Sequence, residues 1–362
     1  MDPRVREHAE TIVDHSIDLQ PGDNVVIQMP PVAEDLSVAL HELCGDRGAN
    51  PVRLHWSERA ERAYLRAAGE DAEFETPEHA LALYEAADAT VVVRSGPNVT
   101  ELSDVPPATI GAHKRATRPV TDARLETKWC LTQYPTPAHA QLAGMSTEAY
   151  ENFVWDAVGL DWAEQREHQD RMVQLLDGAD AVRIRSGATD VRMSVAGNAT
   201  LNDHGEHNLP GGEVFTAPVK ESVEGTVHFD MPVYRNGREI RGARLTFEDG
   251  RVVDHAAEQN EAVLTGILDT DEGSRYLGEL GIGMNRNIDR YTYNMLFDEK
   301  MGDTVHMAVG NAYPETVGDE NERNESAEHV DMIVDMSEES TIEVDGEVVQ
   351  RDGTFVFEDD FR

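Results

Sequence analysis

Asn24-Val-Val-Ile-Gln-Met29 is a short apolar run whose surroundings decide the fold of the amino-terminal half. Helical periodicity flanks it at residues 5–16 and 33–46, and the second helical segment leads into another strand-like run at 52–56. A helical pattern at 78–87 and the continuous apolar run 89–93 repeat the arrangement. Strands that alternate with helices pair in parallel, and parallel strands covered on both faces lose the in-out alternation of a half-exposed sheet. Residues 1–176 therefore read as an α/β domain with a mainly parallel sheet. After Met29 comes Pro30-Pro31-Val32-Ala33-Glu34, without the close-spaced glycines that let a backbone approach a pyrophosphate, so a dinucleotide site is disfavoured. The glycines at 278, 281 and 283 follow a helical pattern rather than opening a helix, and phosphate binding is disfavoured there too.

Residues 146–178 read as one long amphipathic helix joining the two halves. Beyond it the pattern changes to short strands at 181–185, 191–195, 225–229, 243–247 and 252–254, with Glu248-Asp249-Gly250 as a hairpin turn and a helix near 257–268. Residues 177–362 thus read as a second, mainly antiparallel β domain. The length of 362 residues and 40% hydrophobic content are consistent with two cores.

With 70 acidic against 31 basic residues, the formal net charge is −39. Such a surface repels nucleic-acid phosphates and anionic lipid, which excludes nucleic acid and membrane as expected partners. Self-repulsion on this scale strains a folded chain in dilute buffer, whereas molar salt shortens the Debye length to roughly 3 Å. The expectation is a salt-adapted, halophilic protein. No apolar stretch approaches the ~20 residues of a membrane span, and Met1-Asp-Pro-Arg-Val opens directly on a helical pattern, so a cytoplasmic location is expected. Cys44 and Cys130 lack metal-binding spacing and read as two inert thiols.

The chemistry concentrates in the carboxyl-terminal half. In His329-Val330-Asp331-Met332-Ile333-Val334, strand alternation sends His329 and Asp331 to one face and Val330, Met332 and Val334 to the other. In Val305-His306-Met307-Ala308-Val309 the same alternation separates His306 from its apolar neighbours. Glu213 follows Pro210-Gly211-Gly212 at a turn, and Glu279 precedes the alternating Leu280, Ile282 and Met284. Taken singly, each of these side chains also reads as an ordinary surface, turn or structural residue.

Four ordered blocks together resemble the thermophilic metallo-aminopeptidases, the family that contains aminopeptidases T and S. They are Asn208-Leu-Pro-Gly-Gly-Glu213-Val-Phe-Thr-Ala-Pro218, Thr270-Asp-Glu-Gly-Ser-Arg-Tyr-Leu-Gly-Glu279, Phe297-Asp-Glu-Lys-Met-Gly-Asp-Thr-Val-His306 continuing to Tyr313, and residues 324–333. Leu19-Gln-Pro-Gly-Asp-Asn-Val-Val-Ile27 and Trp129-Cys-Leu-Thr-Gln-Tyr-Pro-Thr136 extend the similarity into the first half. The resemblance implies two divalent metal ions (zinc, cobalt or manganese) on Glu213, Glu279, His306, His329 and Asp331. It also implies peptide substrates with a free N-terminus and a homodimer. Glu279, in preference to Glu213, is then the proton carrier, and Tyr313 a hydrogen-bond donor to the oxyanion. Three carboxylates and a hydroxide balance two divalent cations, with neutral imidazoles as nitrogen ligands. Departures from the family pattern are Lys300 in place of an asparagine, Asp335 in place of a glycine, and a short segment between His306 and His329. The rivals are a single-iron ring-cleaving dioxygenase of similar fold and a non-catalytic relative.

Overall fold

The computed structural model describes residues 2–69, 72–235 and 238–362. The chain divides into two compact units, Met1–Leu160 with Gly205–Gly211, and Asp161–His204 with Gly212–Arg362.

The first unit is built on β1 (Asn24–Met29), β2 (Asn50–His55), β3 (Ala89–Arg94) and β4 (Lys128–Gln133), which are parallel and ordered β2-β1-β3-β4. β1 and β3 are nearly wholly buried, as their unbroken apolar runs require, while β2 at the edge is largely exposed. The helix Glu34–Arg47 that connects β1 to β2 ends on Gly48, whose left-handed φ of +71° lets the chain reverse. A two-residue strand, Asn208–Leu209, adds in parallel beside β4. It is fastened by a relay of donors: the Thr132 hydroxyl donates to the Leu209 carbonyl at 2.6 Å, and the buried His8 Nε2 lies 2.8 Å from the same hydroxyl oxygen. Because the hydroxyl proton is committed to Leu209, Nε2 must carry the hydrogen.

The second unit packs two antiparallel sheets around one apolar core. The larger sheet has eight strands, running in order from Arg251–Ala256 at one edge to Thr354–Phe355 at the other. The smaller comprises β5 (Thr200–Asp203), β6 (Glu213–Thr216), β7 (Leu277–Gly283), β8 (Thr304–Gly310) and β9 (His329–Asp335), ordered β9-β8-β7-β6-β5. Phe229, Leu245 and Phe247 of the larger sheet share a buried cluster with Leu280, Ile282, Met307, Val309, Met332 and Val334 of the smaller. The hairpin at 248–250 forms as expected, with left-handed φ values at Asp249 and Gly250.

The single helix expected over 146–178 is instead two, Thr147–Val158 and Trp162–Leu176. Apolar periodicity runs through both, but a side chain at Gly159 would meet the Trp155 carbonyl at 2.8 Å, and the Asp161 carboxylate caps the next helix by accepting from Ala163 and Glu164 N–H. The boundary between the units falls at this break. Among the described residues no helix is long and apolar enough to cross a membrane.

Candidate metal centre

All five sequence-predicted ligands lie on the smaller sheet of the second unit. Glu279 pairs with Ala308 and Ala308 with Asp331, so these three form one row across β7, β8 and β9. Gly281, His306 and Ile333 form the next row, Gly310 pairs with His329, and Glu213 enters β6 opposite Gly283. Alternation places these residues on one face and Leu280, Ile282, Met307, Val309, Val330 and Met332 on the core face. The small residues among the ligands have a steric reason. A Cβ at Gly281 would sit 2.1 Å from His306 Nε2, so the imidazole occupies the space a side chain would need. Gly212, at φ +119°, brings the chain against Asn285 at the entry to β6, where a Cβ would lie 2.4 Å from the Asn285 Cβ.

The side chains converge in two clusters that share Glu279. Glu213, Glu279 and His306 form one, and Glu279, His329 and Asp331 the other, with one donor atom from each residue lying within 4.8 Å of the others in its cluster. His306 Nε2 is 3.0 Å from Glu279 Oε1 and 3.3 Å from Glu213 Oε2. His329 Nε2 is 3.6 Å from Glu279 Oε2 and 3.5 Å from Asp331 Oδ1. The other nitrogen of His329, Nδ1, lies 2.8 Å from the Asn311 carbonyl, which can only accept, so Nδ1 carries a proton and it is Nε2 that faces the carboxylates.

Burial pushes the Glu213 carboxyl up to about 8, and Glu299 and Asp203 add repulsion that Lys300 and His306 only partly offset. Burial opposes charge on both imidazoles, yet the hydrogen bond to Glu279 and the surrounding carboxylates raise His306 to about 9, and Asp331 with Glu279 raises His329 to about 10. Burial also works against the Asp331 carboxylate, but His329, His306 and Lys300 hold it down at about 2. Without a bound ion, protonated imidazoles thus supply part of the positive charge these buried acids demand.

The sequence profile of the thermophilic metalloprotease (M29) family matches residues 1–359. The chain belongs to this family. It is 29% identical over 408 residues to aminopeptidase 2 of Geobacillus stearothermophilus, with 97% of each chain covered. Aminopeptidase T of Thermus aquaticus is 30% identical over 396 residues, covering 96% of this chain and 95% of that one. The solved structure of wild-type AmpT from Thermus thermophilus superposes with a TM-score of 0.87 at 26% identity, over 98% of this chain and 99% of that one.

An M29 metalloprotease works with a divalent metal, and the donor set here fits one. Glu213 Oε2 and Glu279 Oε2 are buried and accept no hydrogen bond among the described residues, an arrangement that is costly unless a cation faces them. Carboxylate oxygens mixed with imidazole nitrogens suit zinc, cobalt or manganese. Family membership also sets aside the ring-cleaving dioxygenase.

Sequence reasoning passed over the charges just behind the ligands. Lys300 is noted there only as a departure from the family asparagine, yet its side chain is fully buried, with Nζ 3.0 Å from Glu213 Oε1, 3.5 Å from Asp203 Oδ2 and hydrogen-bonded to Glu299. The available signal was rarity, since Lys300 is one of four lysines in the chain. Asp298, also fully buried, accepts from Thr292 N–H, Thr292 Oγ1 and Asn294 N–H and so pins the loop before β8. Tyr313 stands at the end of the site with its ring 5.0 Å from His329 and 6.1 Å from Phe215. Desolvation of its hydroxyl and the carboxylates of Glu279, Asp331, Glu299 and Glu213 raise its pKa, so it remains a donor at neutral pH.

Proposed function

We propose that this chain, a metal-dependent aminopeptidase, hydrolyses the N-terminal peptide bond of unblocked peptides at a dinuclear centre held by Glu213, Glu279, His306, His329 and Asp331. The observation that carries this reading is the membership of Glu279 in both donor clusters, which is what a carboxylate shared between two ions requires. Residues 177–362 are the catalytic domain on this reading. When bound, two divalent cations of the zinc, cobalt or manganese type supply an activated water, polarise the scissile carbonyl and offer a position for the substrate amine.

The protein groups then have separate tasks. The Asn311 carbonyl fixes the His329 tautomer, so the ring presents Nε2 to the site without rotating. Glu279, the carboxylate that borders both clusters, is the group placed to take a proton from the water and return it to the leaving amine. The Tyr313 hydroxyl donates to the developing oxyanion, a contribution of about 2.7–4 kcal/mol where one such donor has been removed in another hydrolase. Lys300 neutralises Glu213 from the side opposite His306 and keeps Oε1 occupied, leaving Oε2 to face the site.

Net charge supports reading the protein as salt-adapted, and two buried thiols that form no disulfide, Cys44 and Cys130, are in keeping with a cytoplasmic location. The family resemblance supports a homodimer. The deciding experiment combines metal analysis of protein purified in high salt with chromatography of products from free and N-acetylated short peptides. Two ions per chain and release of the first residue from free peptides only are expected. One ion per chain, or internal cleavage of acetylated peptides, overturns the proposal.

A further inference from the structure

The first unit carries a cavity of about 340 Å³ that the peptidase chemistry does not use. It is lined by Gln28 of β1, Trp56 just past β2, Val92 and Arg94 of β3, Leu131 of β4, and Arg124 near the end of the helix Pro107–Leu125. In the order β2-β1-β3-β4 the connections leave β1 in opposite directions, so the switch point lies between β1 and β3, and the paired residues Gln28 and Val92 straddle it. Crevices at the carboxyl ends of parallel strands, beside such a switch point, are where open α/β sheets bind ligands.

Two arginines, Arg94 and Arg124, line this cavity against one carboxylate, that of Glu61, so its charge runs against that of the whole chain. Arg124 Nη1 is buried and has no hydrogen-bond partner among the described residues, and the guanidinium lies over the Trp129 ring at 5.7 Å from its centroid. Desolvation lowers its pKa, and the neighbouring charge of Arg94 adds to the strain. An unpaired guanidinium is anomalous in a protein with 70 acidic residues to choose from. The helix after β1 begins with Glu34 and Asp35, which repel an anion from its amino terminus, and Glu61 of the lining does the same, so an anion in this crevice is drawn by Arg94 and Arg124 alone. Trp56, Val92, Val120 and Leu131 supply apolar wall, and Tyr84, whose hydroxyl donates to Gln28 at 2.8 Å, adds an aromatic ring to it.

We propose that this cavity is a second binding site, for a small organic oxyanion whose carboxylate or phosphate meets Arg124 and Arg94 and whose flat apolar body lies against Trp56 and Tyr84. Guanidinium forks match either oxyanion, and both arginines line the cavity.

The test is calorimetric titration of the metal-loaded, full-length protein with benzoate and, separately, with inorganic phosphate, at constant ionic strength. The expected result is saturable binding of one benzoate per chain, weakened at least tenfold in Arg124→Gln. Val120→Phe, which fills the cavity without touching a charge, should abolish it as well and stands in if Arg124→Gln does not fold. Phosphate binding that is likewise saturable and lost in Arg124→Gln supports the oxyanion contact. Absence of saturable binding by both probes, or binding unchanged in either variant, overturns the proposal.

Discussion

Replacing Lys300 by methionine keeps most of the side-chain volume and removes only the ammonium, which isolates its electrostatic role. In the wild-type site Nζ is fully buried and within 3.5 Å of Glu213 and Asp203 carboxylate oxygens, and it is hydrogen-bonded to Glu299. Removing one member of a buried ionic group leaves the others uncompensated and costs about 3–5 kcal/mol. For a domain of this size each kcal/mol lowers the melting temperature by roughly 2–4 °C, so the metal-free variant should melt about 6–20 °C below the metal-free parent. Bound cations replace much of the missing charge around Glu213, and the gap between variant and parent should narrow when metal is present. Differential scanning calorimetry in molar salt, with chelator and then with excess divalent metal, reads both gaps. A gap that is absent with chelator, or wider with metal than without, would show that Lys300 does not balance Glu213 and that the electrostatic account of the site is wrong.

His329→Ala and Asp331→Ala should each lower metal content and remove most turnover, while Glu328→Ala, whose carboxylate bonds Arg235 and Thr270 instead, should retain both metal content and rate; metal analysis alongside peptide assays checks this. Melting temperature should rise with KCl toward molar concentrations, because screening relieves a net charge of −39, and a maximum in dilute buffer would remove the salt-adaptation argument. Burial holds His8 neutral, with its pKa down at about 3 against 6.5 in a free chain, so between these values the unfolded state binds the extra proton and stability falls as pH drops. Relative to His8→Gln, the wild type should lose up to about 1.4 kcal/mol per pH unit below pH 6.5, measured by urea unfolding at pH 7, 6 and 5. Equal slopes for the two proteins would refute it.

What was legible in the sequence is what alternation and run length encode locally. β1 and β3 were readable because they are buried on both faces, and His306, His329 and Asp331 because each interrupts an apolar strand with period two. Features that depend on contacts between distant segments were not. Nothing local to Asn208–Leu209 says that it joins β4, some 75 residues earlier, since two residues carry no periodicity and the partner is set by the Thr132 and His8 relay. Lys300 looked like a substitution because its meaning lies in Asp203 and Glu213, on other strands. The same limit applies to the centre itself. Alternation tells which residues leave the apolar face, but the sharing of Glu279 by both clusters is a matter of register, and register between β7 and β8 is set where His306 lies over Gly281 and where the strand bulges between Leu277 and Glu279. A one-residue slip there would turn Glu279 into the core and bring Leu280 to the ligand face. The glycines of β7, which from sequence suggested only a phosphate loop to be dismissed, are therefore what lets a carboxylate and an imidazole from neighbouring strands meet.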